Sequence, residues 1–143
     1  MILPDANLLI YAVDADSPHQ ARARTWLEEV LSGSAAVGFA WPVLLAFLRL
    51  TTRSAVFSRP LSVEQACCFV DGWLATPVAR LVLPGSRHWL VLRELLTATG
   101  TAGNLSSDAH LAALALEHGA RIASADGDFR RFPGVHWFDP LAK

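Results

Sequence analysis

The stretch Ile2-Leu3-Pro4-Asp5-Ala6-Asn7-Leu8-Leu9-Ile10-Tyr11-Ala12 decides how the rest of the chain is read. A short apolar run ends at an acid and a second apolar run follows almost at once, the pattern of a buried strand whose C-terminal end meets a helical turn. An acid between two apolar runs is costly to bury unless it is paired or ligating. Asp5, at the mouth of a strand, is therefore the first candidate functional residue.

Outward from this segment, strands and helices alternate. Apolar runs at 35–39, 79–83, 121–124 and 135–137 read as further short strands. Ser17-Pro18 supplies an N-cap and a first-turn proline for a helix whose stripe of Ala23, Trp26, Leu27, Val30 and Leu31 stops at Gly33. Trp41-Pro42 opens a second helix reaching about Thr52, and Ser62-Val63-Glu64-Gln65 is a capping box launching a third through about Ala75. Ser86 is read as the cap of a helix through Thr99. Ser106 or Ser107 is read as the cap of the segment from Asp108 to Leu116, which Gly119 closes. Alternation of this kind joins right-handed βαβ units into an α/β domain, a mostly parallel central β-sheet flanked by helices on both faces. The 143 residues suit one domain over 1–143, with no linker, repeat or low-complexity run dividing them.

Composition narrows the function. With 52% hydrophobic and 17% charged residues the chain can pack a core, which excludes disorder and coiled coil. The net charge of −1 gives no general attraction to nucleic acid or to an anionic membrane. The charge is uneven, however: residues 1–48 carry five acids and two bases, 49–93 two acids and six arginines, and 94–143 six acids and four bases. A basic middle between acidic ends suits an enzyme that gathers carboxylates at a metal site beside a phosphate-binding surface; six arginines solvating helices fit it equally. The one lysine, Lys143, is terminal, which removes lysine chemistry. Cys67 and Cys68 are adjacent in an apolar helical stretch and read as core residues of a reducing compartment. There is no signal-peptide pattern and no apolar run of about 18 residues, so the expected location is cytoplasmic, with no membrane partner.

In parallel α/β sheets ligands bind beyond the carboxyl ends of the strands. Asp5, Asp126 and Asp128 sit there, and Asp108, in the first turn of a helix, can face the same edge. Carboxylates brought together repel one another unless a divalent cation neutralises them, and hard oxygen donors favour Mg²⁺ or Mn²⁺. One or two such ions could position and deprotonate a water for in-line displacement at phosphorus. Each acid also has a plainer reading: Asp126 and Asp128 as turn formers, Asp108 as a first-turn acid facing the helix dipole. The five histidines lack zinc spacing, and His110, two residues from Asp108, is expected on another helix face. The five tryptophans read as core or dimer interface rather than a base-stacking platform, and no Gly-rich phosphate loop occurs.

Leu3-Pro4-Asp5-Ala6-Asn7-Leu8-Leu9, Ser107-Asp108-Ala109-His110-Leu111-Ala112-Ala113 and Ser124-Ala125-Asp126-Gly127-Asp128-Phe129 together resemble the PIN-domain ribonucleases over nearly the whole chain. The resemblance is closest to the VapC toxins of bacterial toxin–antitoxin pairs, particularly their actinobacterial branch. Trp41-Pro42-Val43-Leu44-Leu45-Ala46-Phe47-Leu48-Arg49 and Gly103-Asn104 also match that branch. It implies a PIN-like fold and a homodimeric, Mg²⁺-dependent endoribonuclease, with Mn²⁺ as a possible substitute and a VapB-like antitoxin inserting a segment into or beside the active site. Carried over residue by residue, Asp5, Asp108 and Asp126 become the catalytic metal ligands and Asp128 an outer or second-ion partner. Asn7 and Ser107 become orienting groups, and Arg49 a contact to RNA phosphate.

One departure stands out. Many PIN domains place a Glu near the position held here by Ala46, and residues 40–50 contain no acid. The loss of one carboxylate keeps a second function open, a catalytically weak or inactive PIN-like protein that binds RNA or antitoxin. Haloacid-dehalogenase-type phosphatases and phosphoacceptor receiver domains share the architecture, but they need a late lysine, and the first needs an acid where Asn7 stands.

Overall fold

The computed structural model describes residues 1–142; Lys143 and the side chain of Asn104 lie outside the described residues. Five strands, β1 (Ile2–Pro4), β2 (Val37–Ala40), β3 (Ala79–Val82), β4 (Arg121–Ala123) and β5 (Trp137–Phe138), form one sheet in the order β3-β2-β1-β4-β5. Every neighbouring pair is parallel, with Pro4 opposite Ala123 at the carboxyl end of the central pair. Among the described residues six α-helices accompany it: α1 (Ala6–Val13), α2 (Gln20–Leu31), α3 (Trp41–Thr51), α4 (Val63–Leu74), α5 (His88–Thr99) and α6 (Ser106–His118).

All four residues of β2 are buried, and successive strand residues point to opposite faces, so both faces of the sheet are covered. Gly38 is what lets the strands and side chains close up there. A Cβ at this position would fall 2.4 Å from Val82 Cγ2 and 2.5 Å from Leu3 Cδ2, so a side chain there would have to push aside its neighbours on β3 and β1. Phe39 stacks parallel to Trp73 with ring centroids 6.2 Å apart, and Phe47 meets the same indole edge-on at 4.8 Å, which seats α3 and α4 on the sheet. Removing a buried aromatic from such a cluster typically costs about 3–5 kcal/mol.

The expected elements are present, with shifted ends. The helical turn after β1 is a full helix, α1, because Asp5 in extended geometry caps it, its carboxylate accepting the Ala6 N–H at 2.8 Å. Ser17 does not cap α2. Its hydroxyl accepts the His19 N–H in a local turn, and the helix starts at Gln20. Ser86 likewise is not the cap of α5, whose cap position is Arg87, and Ser106 and Ser107 lie inside the first turn of α6 after a 3₁₀ turn over Gly103–Leu105. The Ser62–Gln65 capping box of α4 forms in both directions. Cys67 and Cys68 are exposed rather than core, since α4 turns Ala66 and Trp73 inward and leaves both thiols on the solvent side. Trp41 and Trp89 are also exposed, leaving Trp73 as the buried indole.

The strand order places a topological switch point between β1 and β4. The chain moves from β1 outward to β3 on one side, then returns to build β4 and β5 on the other. The crevice beyond the carboxyl ends of β1 and β4 is the place where such a sheet binds ligands.

Candidate metal centre and cleft

Asp5 directly follows β1, and its N–H continues the sheet by donating to the Ala123 carbonyl at 2.9 Å. Ser124 directly follows β4 and is fully buried. Its hydroxyl donates to Asp5 Oδ2 at 2.7 Å and accepts from Asn7 Nδ2 at 3.2 Å and from the Asp126 N–H at 3.0 Å. One donor and two acceptor positions are thus all used. Asn7 Oδ1 in turn accepts the Ala125 N–H at 3.4 Å. Asn7 and Ser124 therefore weld the two strand ends together and fix the Asp5 carboxylate.

Asp126 caps a 3₁₀ turn over Gly127–Arg131, its carboxylate accepting the Asp128 N–H at 2.9 Å. That turn swings Asp128 back toward the first turn of α6, where Asp108 sits. Carboxylate oxygens of Asp108, Asp126 and Asp128 lie within 4.8 Å of one another. Asp5 stands beside this trio, and of the neighbouring charges it acts most strongly on Asp108. Burial first, and then the charges of Asp5, Asp126 and Asp128, push the Asp108 carboxyl up to about 7. Burial also raises Asp5, with a further push from Asp126, against the Ser124 and Ala6 hydrogen bonds that hold it down. Among the described residues no salt bridge neutralises any of the four. An all-oxygen, multiply anionic donor set without an internal counter-charge fits a hard divalent cation.

An open cleft of about 390 Å³ adjoins these acids, lined by Asp5, Ser107 and Asp108 on one side and by Ala46 and Arg49 of α3 on the other. Asn7 works behind the carboxylates; Ser107 and Arg49 are exposed at the cleft. Ala46 occupies the cleft wall where an acid was expected from the resemblance, so the α3 side contributes no carboxylate. His110 lines the same cleft as Asp108 instead of facing away from it. Burial and the nearby His88 ring hold its imidazole below the ordinary histidine value, with Glu117 opposing.

Two features were missed in the sequence. Ser124 could have been suspected from its place two residues before Asp126 at a strand end. His110 and Glu117, seven residues apart, share a face of α6, but nothing in the sequence brings His88 of α5 to them.

The PIN domain family model matches residues 2–135. Among curated proteins the chain is 52% identical to ribonuclease VapC37 of Mycobacterium tuberculosis, covering 99% of both chains. It is 40% identical to ribonuclease VapC33 of the same species, again over 99% of each. Among solved structures, the Rickettsia felis VapBC2 complex bound to a promoter DNA fragment superposes with a TM-score of 0.71 at 18% identity, covering 97% of this chain and 98% of that one. Mycobacterium tuberculosis VapC20, described as a toxin that cleaves the sarcin–ricin loop, gives 0.68 at 19% identity over 95% and 99%. At such identities the likeness of the solved structures establishes the fold.

Proposed function

The chain belongs to the PIN-domain family, among the VapC ribonucleases, and on that premise we propose that it is a metal-dependent endoribonuclease whose cation is held by Asp5, Asp108, Asp126 and Asp128. It is a ribonuclease of the toxin type. The observation that carries the metal reading is the uncompensated cluster, with Asp108 raised to about 7 by burial and three neighbouring acids. Magnesium is the ion proposed, with manganese as a substitute, because the donors are all carboxylate oxygens.

When bound, such a cation supplies Lewis-acid polarisation of the phosphodiester and eases deprotonation of the attacking water. The chain's own residues do the rest. Asp5, Asp108 and Asp126 form the catalytic set, and Asp128 extends it toward solvent. Ser124 holds Asp5 Oδ2 and the Asp126 backbone in fixed relation, and Asn7 locks Ser124. Arg49 and Ser107 border the cleft where a phosphate of the strand would lie, Arg49 as a cationic contact.

The proposed partner is a VapB-like antitoxin, supported by solved relatives that are VapBC assemblies. A homodimer of this one-domain chain is supported by the exposed apolar side chains Leu81, Leu83, Trp89 and Leu90 around β3 and α5. No helix among the described residues is long and apolar enough to cross a membrane. The cytoplasm, where RNA and an antitoxin meet it, is the proposed location.

Ala46 favours a second reading, a PIN-like protein that binds RNA or antitoxin without cutting. Incubating cellular RNA with purified, antitoxin-free protein in Mg²⁺, Mn²⁺ or EDTA separates the two. Discrete metal-dependent fragments that disappear in Asp5→Asn and Asp126→Asn support the nuclease. Intact RNA under all conditions, with folded protein, supports the binding role.

A further inference from the structure

Glu117 near the end of α6, His88 at the start of α5 and His110 form a hydrogen-bonded chain that ends at the cleft. Glu117 Oε2 accepts the Gly85 N–H at 3.0 Å, and Oε1 lies 2.5 Å from His88 Nδ1. His88 Nε2 lies 2.9 Å from His110 Nδ1, with the two rings edge to face at 69°. The His88 and Glu117 side chains are only 12% and 9% exposed, whereas His110 lines the cleft together with Asp108. Gly85 leaves room for that carboxylate, since a Cβ there would fall 2.5 Å from Oε2.

This chain fixes a ring. The carboxylate only accepts, so the proton of the first link sits on His88 Nδ1. The second link requires one imidazole nitrogen to donate and the other to accept. Either way Nδ1 of His110 is committed to His88, and Nε2 is the ring nitrogen left for a further partner on a residue that lines the cleft. Two side chains that are themselves largely buried thus hold the half-buried His110 ring in one orientation at the cleft.

We propose that His110 Nε2 contacts a ribose 2′-hydroxyl of the RNA strand in the cleft, with His88 and Glu117 as positioning residues, an inference that rests on the ribonuclease reading above. A 2′-hydroxyl both donates and accepts, so it satisfies Nε2 in either tautomer, whereas a phosphate oxygen only accepts. Hydrolysis by water leaves this hydroxyl unreacted and therefore free to be recognised. His110 is thus a determinant of RNA over DNA.

The test compares an all-ribose oligonucleotide with a set carrying a single 2′-deoxy residue at each position around the cut, in excess Mg²⁺. His110→Ala lowers kcat/KM on the all-ribose strand by about tenfold, the scale of one hydrogen bond. The wild-type chain shows a similar loss at one deoxy position, and the variant loses nothing further there. Glu117→Gln, which keeps shape and packing, reduces the same ribose preference. Equal losses for His110→Ala on every substrate, or an unchanged ribose preference in a folded Glu117→Gln, overturns the inference. A wild-type chain that cuts none of these RNAs instead overturns the ribonuclease reading itself.

Discussion

Ser124 and Asp5 lie 119 positions apart in the chain and are joined by a 2.7 Å hydrogen bond from the serine hydroxyl to Oδ2 of the aspartate. The same hydroxyl accepts from Asn7 and from the Asp126 backbone, so one buried oxygen sets the spacing between the acids after β1 and after β4. Ser124→Ala leaves a carboxylate oxygen, a side-chain amide and a backbone N–H short of a partner at once. Thermal or urea unfolding should show a loss of about 1–3 kcal/mol. Because the substitution loosens ligands without removing one, divalent-ion affinity should fall by about 10–100-fold.

Asp108 gives the chain a pH signature. Its native value, about 7, lies above the ordinary 3.8, so between these values the folded state holds a proton that the unfolded state has released. The contribution of Asp108 to stability in EDTA is therefore greatest toward the acid end of this window, shrinks as pH rises and is lost above about 7. Asp108→Asn removes the charge and should flatten the decline. Melting curves in EDTA from about pH 5 to about pH 8 check this, and equal slopes for the two proteins would refute it.

Much of this arrangement is legible in the sequence, and the reasons are local. Asp5 announces itself because an acid breaks an apolar run. Asp126 and Asp128 follow an apolar strand in a Gly-containing turn, and Asp108 opens a helix. The alternation of apolar runs fixes the α/β class and a mostly parallel sheet, as found. Exact helix starts were less legible: Ser17, Ser86, Ser106 and Ser107 all look like caps, yet turns and 3₁₀ segments set the starts of these helices. The exposed Cys67 and Cys68 show that an apolar helix can carry more apolar residues than it buries. His110 misled because two-residue spacing turns a side chain around its helix, while a cleft as wide as this one reaches both directions.

Ala46 yields a third prediction. It lines the cleft across from Asp5 and Asp108, so Ala46→Glu adds a carboxylate to the donor set. Divalent affinity should rise, and the melting temperature in EDTA should fall as like charge accumulates. Parallel metal titrations and EDTA melts of the two proteins read both changes. A variant that melts lower with no gain in affinity would show that position 46 does not reach the cation.

The most direct measurement is a calorimetric titration of Mn²⁺ into the metal-free chain near pH 7, in two buffers of different ionisation enthalpy, beside Asp5→Asn, Asp108→Asn and Asp126→Asn. The expected result is saturable binding with proton release in the wild-type chain, since Asp108 must give up its proton to ligate, and binding weakened at least about tenfold in each folded variant. Absence of binding, or affinity unchanged by all three substitutions, would contradict a cation site built from these carboxylates.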